Sequence, residues 1–98
     1  EAAGPGPPDY QLLGGPVFSQ ECVIARAPGA WTKLLREAGV YDVSGRLVRR
    51  LAMNGAGGDR ALVWDGRDEA GRSAATGVYF IRIAEHSRRV HFKVIKLR

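Results

Sequence analysis

The chain writes one reversal twice, as Asp42-Val43-Ser44-Gly45-Arg46 and as Asp68-Glu69-Ala70-Gly71-Arg72. An aspartate opening such a segment accepts hydrogen bonds from main-chain N–H groups two residues on. A glycine three residues later supplies the positive φ that a type I turn followed by a bulge requires. Short apolar runs flank the reversals: Leu47-Val48 with Leu51, Arg60–Trp64, Val78–Glu85 and Val90–Leu97. A chain of 98 residues holding two such turns folds as antiparallel ribbons. The expectation is an all-β, immunoglobulin-like β-sandwich of about seven antiparallel strands.

The remaining strands are placed by the same logic. A first strand is expected over Glu21–Ala27, ended by Pro28-Gly29. Residues 31–38 have helical preference, yet they run into Val40-Tyr41-Asp42, which must end a strand if the turn closes. We read 33–42 as a strand, with one short helical turn as the alternative. A Gly-rich loop follows at Met53–Asp59, and a short strand is possible at Arg72–Ala75. In Val78–Glu85, Tyr79, Ile81 and Ile83 share one face, and Phe80, Arg82 and Ala84 the other. His86-Ser87-Arg88 is read as a hairpin tip. Val90, Phe92 and Val94 share a face in the last strand, while Ile95 and Leu97 break phase, which predicts a bulge or edge twist there. Residues 1–15 are rich in Gly and Pro and read as a linker, leaving 16–98 as the domain. The chain begins with Glu1 rather than Met, so it reads as part of a longer protein.

Charge and composition narrow the function. The net charge is +5, with a net of −1 over residues 1–40 and +6 over 41–98. A basic half can attract nucleic acid. Here the cations alternate with apolar residues as a solvated strand face does, and aromatic interleaving is thin, so no nucleic-acid partner is expected. No apolar run approaches the ~20 residues that cross a bilayer as a helix. The lone Cys22 lies in a strand-like run and reads as a small buried hydrophobe rather than a nucleophile.

No catalytic or metal constellation is legible. Asp65, Asp68 and Glu69 crowd three carboxylates together, but Arg67 stands where a calcium ligand would fall, so they are read as turn caps. Trp64 is read as core, Trp31 lies in the segment that could be strand or helical turn, and sugar stacking is the alternative for both. No serine lies in a nucleophile-elbow setting, and no phosphate loop is present. The expected fold-defining residues are Asp42, Gly45, Trp64, Asp65, Gly66, Asp68, Gly71, Gly77 and Tyr79. No enzyme activity and no cofactor are expected.

Val40–Val48, Trp64–Asp68 with Gly71-Arg72, Gly77-Val78-Tyr79-Phe80 and the ending Lys93–Arg98 resemble the C-terminal sorting domains of the type IX secretion system. The Trp-Asp-Gly and Gly-x-Tyr pattern is shared with the immunoglobulin-like domain of flagellar hook-capping proteins. The resemblance spans roughly residues 15–98 and is strongest from 40 onward. It implies a non-catalytic sorting module carried behind a covalently linked cargo domain, with an outer-membrane translocon and a sortase-like peptidase as partners. It implies a location in the medium or on the outer cell surface, reached through the periplasm. The export-signal candidates are Lys93, Val94, Ile95, Lys96, Leu97 and Arg98, offered on an edge strand, Val90–Leu97, with unpaired backbone groups. A hook-cap-like assembly domain is the alternative, and a carbohydrate-binding module the weaker one.

Overall fold

A computed structural model describes residues 10–26, 35–54, 61–85 and 88–98. Nine strands run through them: β1 (Tyr10–Leu13), β2 (Val17–Phe18), β3 (Cys22–Arg26), β4 (Leu35–Asp42), β5 (Leu47–Leu51), β6 (Met53–Asn54), β7 (Ala61–Trp64), β8 (Gly77–Glu85) and β9 (Arg89–Lys96). They form two sheets, ordered β1-β3-β7-β6 and β2-β9-β8-β4-β5. The all-β sandwich expected from the turn chemistry is the fold, with nine strands among the described residues in place of about seven, and with β2 parallel to β9 where all were expected antiparallel.

The two inner faces supply the core. Ile24, Leu62 and Trp64 from one sheet meet Val40, Ile81, Ile83 and Val94 from the other, all fully buried. Alternation along β8 and β9 does this directly: every second residue turns inward and its neighbours face solvent. Trp64 is the hub. Its ring meets Phe18 at 5.4 Å and Tyr79 at 5.0 Å between centroids, both edge-on. Its Nε1–H donates to the Arg67 carbonyl at 2.9 Å, so the indole is buried without an orphaned donor. The Tyr79 hydroxyl donates to the Ala75 carbonyl at 2.6 Å, resembling the tyrosine corner of immunoglobulin-type sandwiches.

Four expectations need correction. The stretch read as a linker contains β1, paired antiparallel to β3 from Tyr10↔Arg26 to Leu13↔Val23. Tyr10 and Leu12 turn inward between exposed neighbours, and that buried face outweighs the Gly/Pro-rich setting. Residues 1–9 lie outside the described residues. Arg72–Ala75 is no strand; Ser73 makes an isolated bridge to Arg67. Met53-Asn54, read as loop, pairs with β7, while the rest of that loop is outside the described residues.

The fourth concerns the end of β9. Its register with β8 runs unbroken from Ala84↔Arg89 to Gly77↔Lys96, with no bulge. The apparent phase break is Lys96 itself, which takes the inward position and is only 5% exposed. Its alkyl stem lies under the main chain at Gly66, and its Nζ reaches the Ser73 hydroxyl at 3.5 Å. A lysine stem can fill apolar space while its ammonium finds the rim.

β4 resolves the ambiguous segment as strand from Leu35 onward. It pairs with β8 on one side and β5 on the other. The ladder to β8 along this stretch, joined by the one to β5 from Ala38 on, overrides the helical preference of Leu35-Arg36-Glu37-Ala38.

Candidate interaction surface

The residues expected to define the fold are used up by it. Asp42 Oδ1 accepts from Ser44 N–H at 3.0 Å, Ser44 Oγ–H at 2.7 Å and Arg46 N–H at 3.0 Å. The Gly45 N–H donates to the Asp42 carbonyl at 2.9 Å, and the Asp42 N–H to Arg46 O at 3.0 Å. The second reversal repeats this. Asp68 Oδ1 accepts from Ala70 and Arg72 N–H at 2.9 and 3.0 Å, and Gly71 N–H closes on the Asp68 carbonyl at 2.9 Å. Gly45 and Gly71 sit at φ +88° and +84°, the region that the turn demands and that side chains resist. The Ser44 hydroxyl foremost, then the Arg46 N–H, holds the Asp42 carboxyl below its usual range.

Asp65 and Glu69 are spent in the same way. Asp65 accepts from Arg67 N–H at 3.0 Å and meets Arg49 Nη1 at 3.4 Å. Arg49 also donates to the Asp68 carbonyl at 3.2 Å, tying β5 to the 65–68 loop. Among the described residues no group of three His, Cys, Asp or Glu is placed to hold a metal. A groove of about 430 Å³ lies between the two reversals, lined by Asp42, Arg46, Asp68, Ala74 and Tyr79. The carboxylates on its walls already serve main-chain donors. Cys22 is buried, and burial pushes its thiol up to about 11. It is an inert core group at neutral pH. Gly66 is buried beneath Lys96, and Gly77 opens β8 opposite the same lysine. Trp31 lies outside the described residues.

One surface left for recognition is the outward face of the five-stranded sheet, with one of its edges. On that face Tyr41, Leu47 and Phe80 are half-buried, with Tyr41 the cross-strand partner of both Leu47 and Phe80. Tyr41 and Leu47 lie over Gly39, where an added Cβ would come within 3.0 Å of Leu47 Cδ1 and 3.2 Å of the Tyr41 ring. The Arg82 guanidinium stacks 4.4 Å from the Tyr41 ring centre. Arg89, His91 and Lys93 are exposed on the same face, in register with Ala84, Arg82 and Phe80. Sequence alternation had already set Phe80 and Arg82 opposite Tyr79. That Tyr41 and Leu47 join them was not legible, because it depends on how β4 lies between β5 and β8.

The edges of this sheet differ. At β5 the Glu69 N–H donates to the Val48 carbonyl at 3.0 Å, and the Glu69 carboxylate accepts the Arg50 N–H. One residue thus covers that edge as a strand would. At β9 the short β2 runs parallel, pairing Val17↔Ile95 and Phe18↔Lys96. Ile95 and Leu97 N–H donate to Pro16 and Phe18 carbonyls, each at 2.7 Å. The unpaired edge expected over Val90–Leu97 is therefore closed over its last three residues. Of the six export-signal candidates, Val94 and Lys96 are buried and Ile95 is half-buried; Lys93, Leu97 and Arg98 are exposed.

A family profile, FlgD Ig-like domain, matches residues 29–88, more than half of the chain. The chain belongs to the FlgD Ig-like domain family. No curated protein and no solved structure matches it. Membership accounts for the β-sandwich, and the matched span holds both Asp/Gly reversals, Trp64 and Tyr79. The family relation favours the hook-cap-like alternative over the narrower sorting-domain resemblance.

Proposed function

We propose that the chain is a non-catalytic assembly module that works by docking onto other proteins, as an immunoglobulin-like domain of the hook-capping kind. The observation that carries this reading is the Tyr41–Leu47–Phe80 cluster with Arg82 on a solvent face, beside a partly open strand edge. Aromatic and arginine side chains are the groups most enriched where proteins bind each other. The turn carboxylates, which an enzyme would need free, are engaged by main-chain donors. The test is made in the parent protein. Tyr41→Ser with Phe80→Ser is expected to block its incorporation into the assembly while the melting curve keeps its shape. Normal incorporation would contradict the reading.

The narrower version is that the docking partner is an export translocon, with the domain acting in the periplasm and at the outer surface behind a linked cargo. Exposed Lys93, Leu97 and Arg98 at the end of β9 are the groups that would serve it. The full chain, residues 1–98, fused to a periplasmic reporter in a host with the type IX system, separates the two versions. Export that fails when the exposed Lys93, Leu97 and Arg98 are replaced by serine supports sorting; reporter retained in the cell with the parent sequence leaves the assembly version alone standing.

A further inference from the structure

The open part of the β9 edge has a definite chemistry. Successive residues of a strand direct their N–H and C=O groups to opposite sides. Ile95 and Leu97 donate outward, to β2. By that alternation Arg89, His91 and Lys93 also turn their main-chain N–H and C=O groups outward, away from β8. Among the described residues no hydrogen bond reaches these groups. The chain's own β2 cannot extend over them, because Gly14 and Gly15, at φ +78° and +85°, turn it away toward β1.

β2 also shows what this edge accepts. It lies parallel to β9, with Phe18 turned inward against Trp64 and Val17 turned outward, 47% exposed. A strand added beyond it meets a different outer row. The solvent-facing side chains there are Arg89, His91 and Lys93, with Arg82 one strand in. The nearest described carboxylate on that face is Glu37, two strands away in the row of Ala84 and Arg89. Basic side chains along an edge discourage pairing with a second copy, since like charges would oppose one another.

We propose that an extended acidic segment of a partner protein adds to the β9 edge at Arg89–Lys93, with carboxylates on the solvent side and apolar residues turned inward as Phe18 is. This rests on the docking reading above and names the partner's chemistry. Main-chain bonds to Arg89, His91 and Lys93 supply the attachment, and the alternating side chains supply the choice of partner.

The test uses the full chain and two fluorescent peptides, one alternating valine with glutamate and one alternating valine with lysine. The acidic peptide is expected to bind roughly tenfold more tightly, and the His91 and Lys93 amides to gain exchange protection on binding. Arg89→Glu with Lys93→Glu is expected to reverse the order of the two peptides. His91→Pro removes an outward N–H that the β8 ladder does not use, so it should abolish binding with the circular dichroism spectrum unchanged. Should that variant fail to fold, the charge-reversed pair decides. Equal affinity for both peptides, no binding, or protection on another strand would overturn the proposal. So would a dimer with His91 protected before any peptide is added, which would put a second copy at the edge. Peptide binding that is lost in Tyr41→Ser with Phe80→Ser, with no protection gained at His91 and Lys93, would remove strand addition and leave the docking reading intact; failure of the Tyr41/Phe80 variant to disturb assembly would remove the docking reading itself.

Discussion

Glu69 binds Arg50 through the main chain: its carboxylate accepts the Arg50 N–H while its own N–H donates to Val48 O at 3.0 Å. A loop residue thereby satisfies two groups of an edge strand, which otherwise would template pairing with another chain. Glu69→Ala is expected to cost about 1 kcal/mol, a hydrogen bond to a charged group weakened by solvent exposure. The accompanying sign is faster exchange of the Arg50 amide. Urea midpoints and amide exchange check both, and an unchanged Arg50 rate would remove this role from Glu69.

Gly66 and Lys96 are coupled by space. Gly66 sits at φ +80°, and a Cβ there would lie 2.8 Å from Lys96 Cε. At Gly45, at φ +88°, an added Cβ meets nothing within 4 Å. Gly45→Ala therefore carries the backbone cost alone, roughly 1–2 kcal/mol. Gly45→Val, with its branched Cβ, should lose roughly 1–3 kcal/mol. Gly66→Ala should cost more than Gly45→Ala by a steric share that Lys96→Ala relieves. A double-mutant cycle on Gly66 and Lys96 is expected to show coupling of at least about 0.5 kcal/mol. Simple additivity would mean the lysine stem moves aside freely.

Asp42 sets an acid limit. Its folded carboxyl lies below the usual range, held chiefly by Ser44 and Arg46. A lowered folded pKa stabilises the fold above the unfolded value of about 4, and that stability is lost as pH falls through the folded value. Asp42→Asn should thus destabilise the protein at neutral pH, and the gap from the parent should close in acid. Denaturant midpoints across that range give the answer; a gap that does not change with pH would mean the charge contributes nothing.

Cys22 reports on opening. Its thiol is 3% exposed and raised to about 11 by burial. An aromatic disulfide reagent at mildly alkaline pH is expected to leave the native protein unlabelled and to label it in step with unfolding by denaturant. Prompt labelling of the native state would place the thiol at an accessible surface.

The turns were legible because their chemistry is local. Asp42, Ser44, Gly45 and Arg46 carry their own hydrogen-bond partners, as do Asp68, Ala70, Gly71 and Arg72. Tyr79 was legible from strand alternation, and Trp64 from the hydrophobic gain of burying an aromatic within a strand of so small a domain. What escaped depends on distant partners. Tyr10–Leu13 is a strand because β3 lies beside it, and Lys96 turns inward because Gly66 leaves room for its stem. The two-residue β2 is too short to show in a pattern, and its parallel pairing to β9 joins segments far apart in sequence. Nothing in the segment Asp68–Arg72 marks Glu69 as the residue that would cover β5.

Amide exchange along β9 in the free protein tests the open edge most directly. Ile95 and Leu97, bonded to Pro16 and Phe18, should exchange slowly, as should Val90, Phe92 and Val94, whose N–H groups face β8. Arg89, His91 and Lys93 should exchange fast. A uniform protection across all of them would show the edge already occupied and would contradict the account.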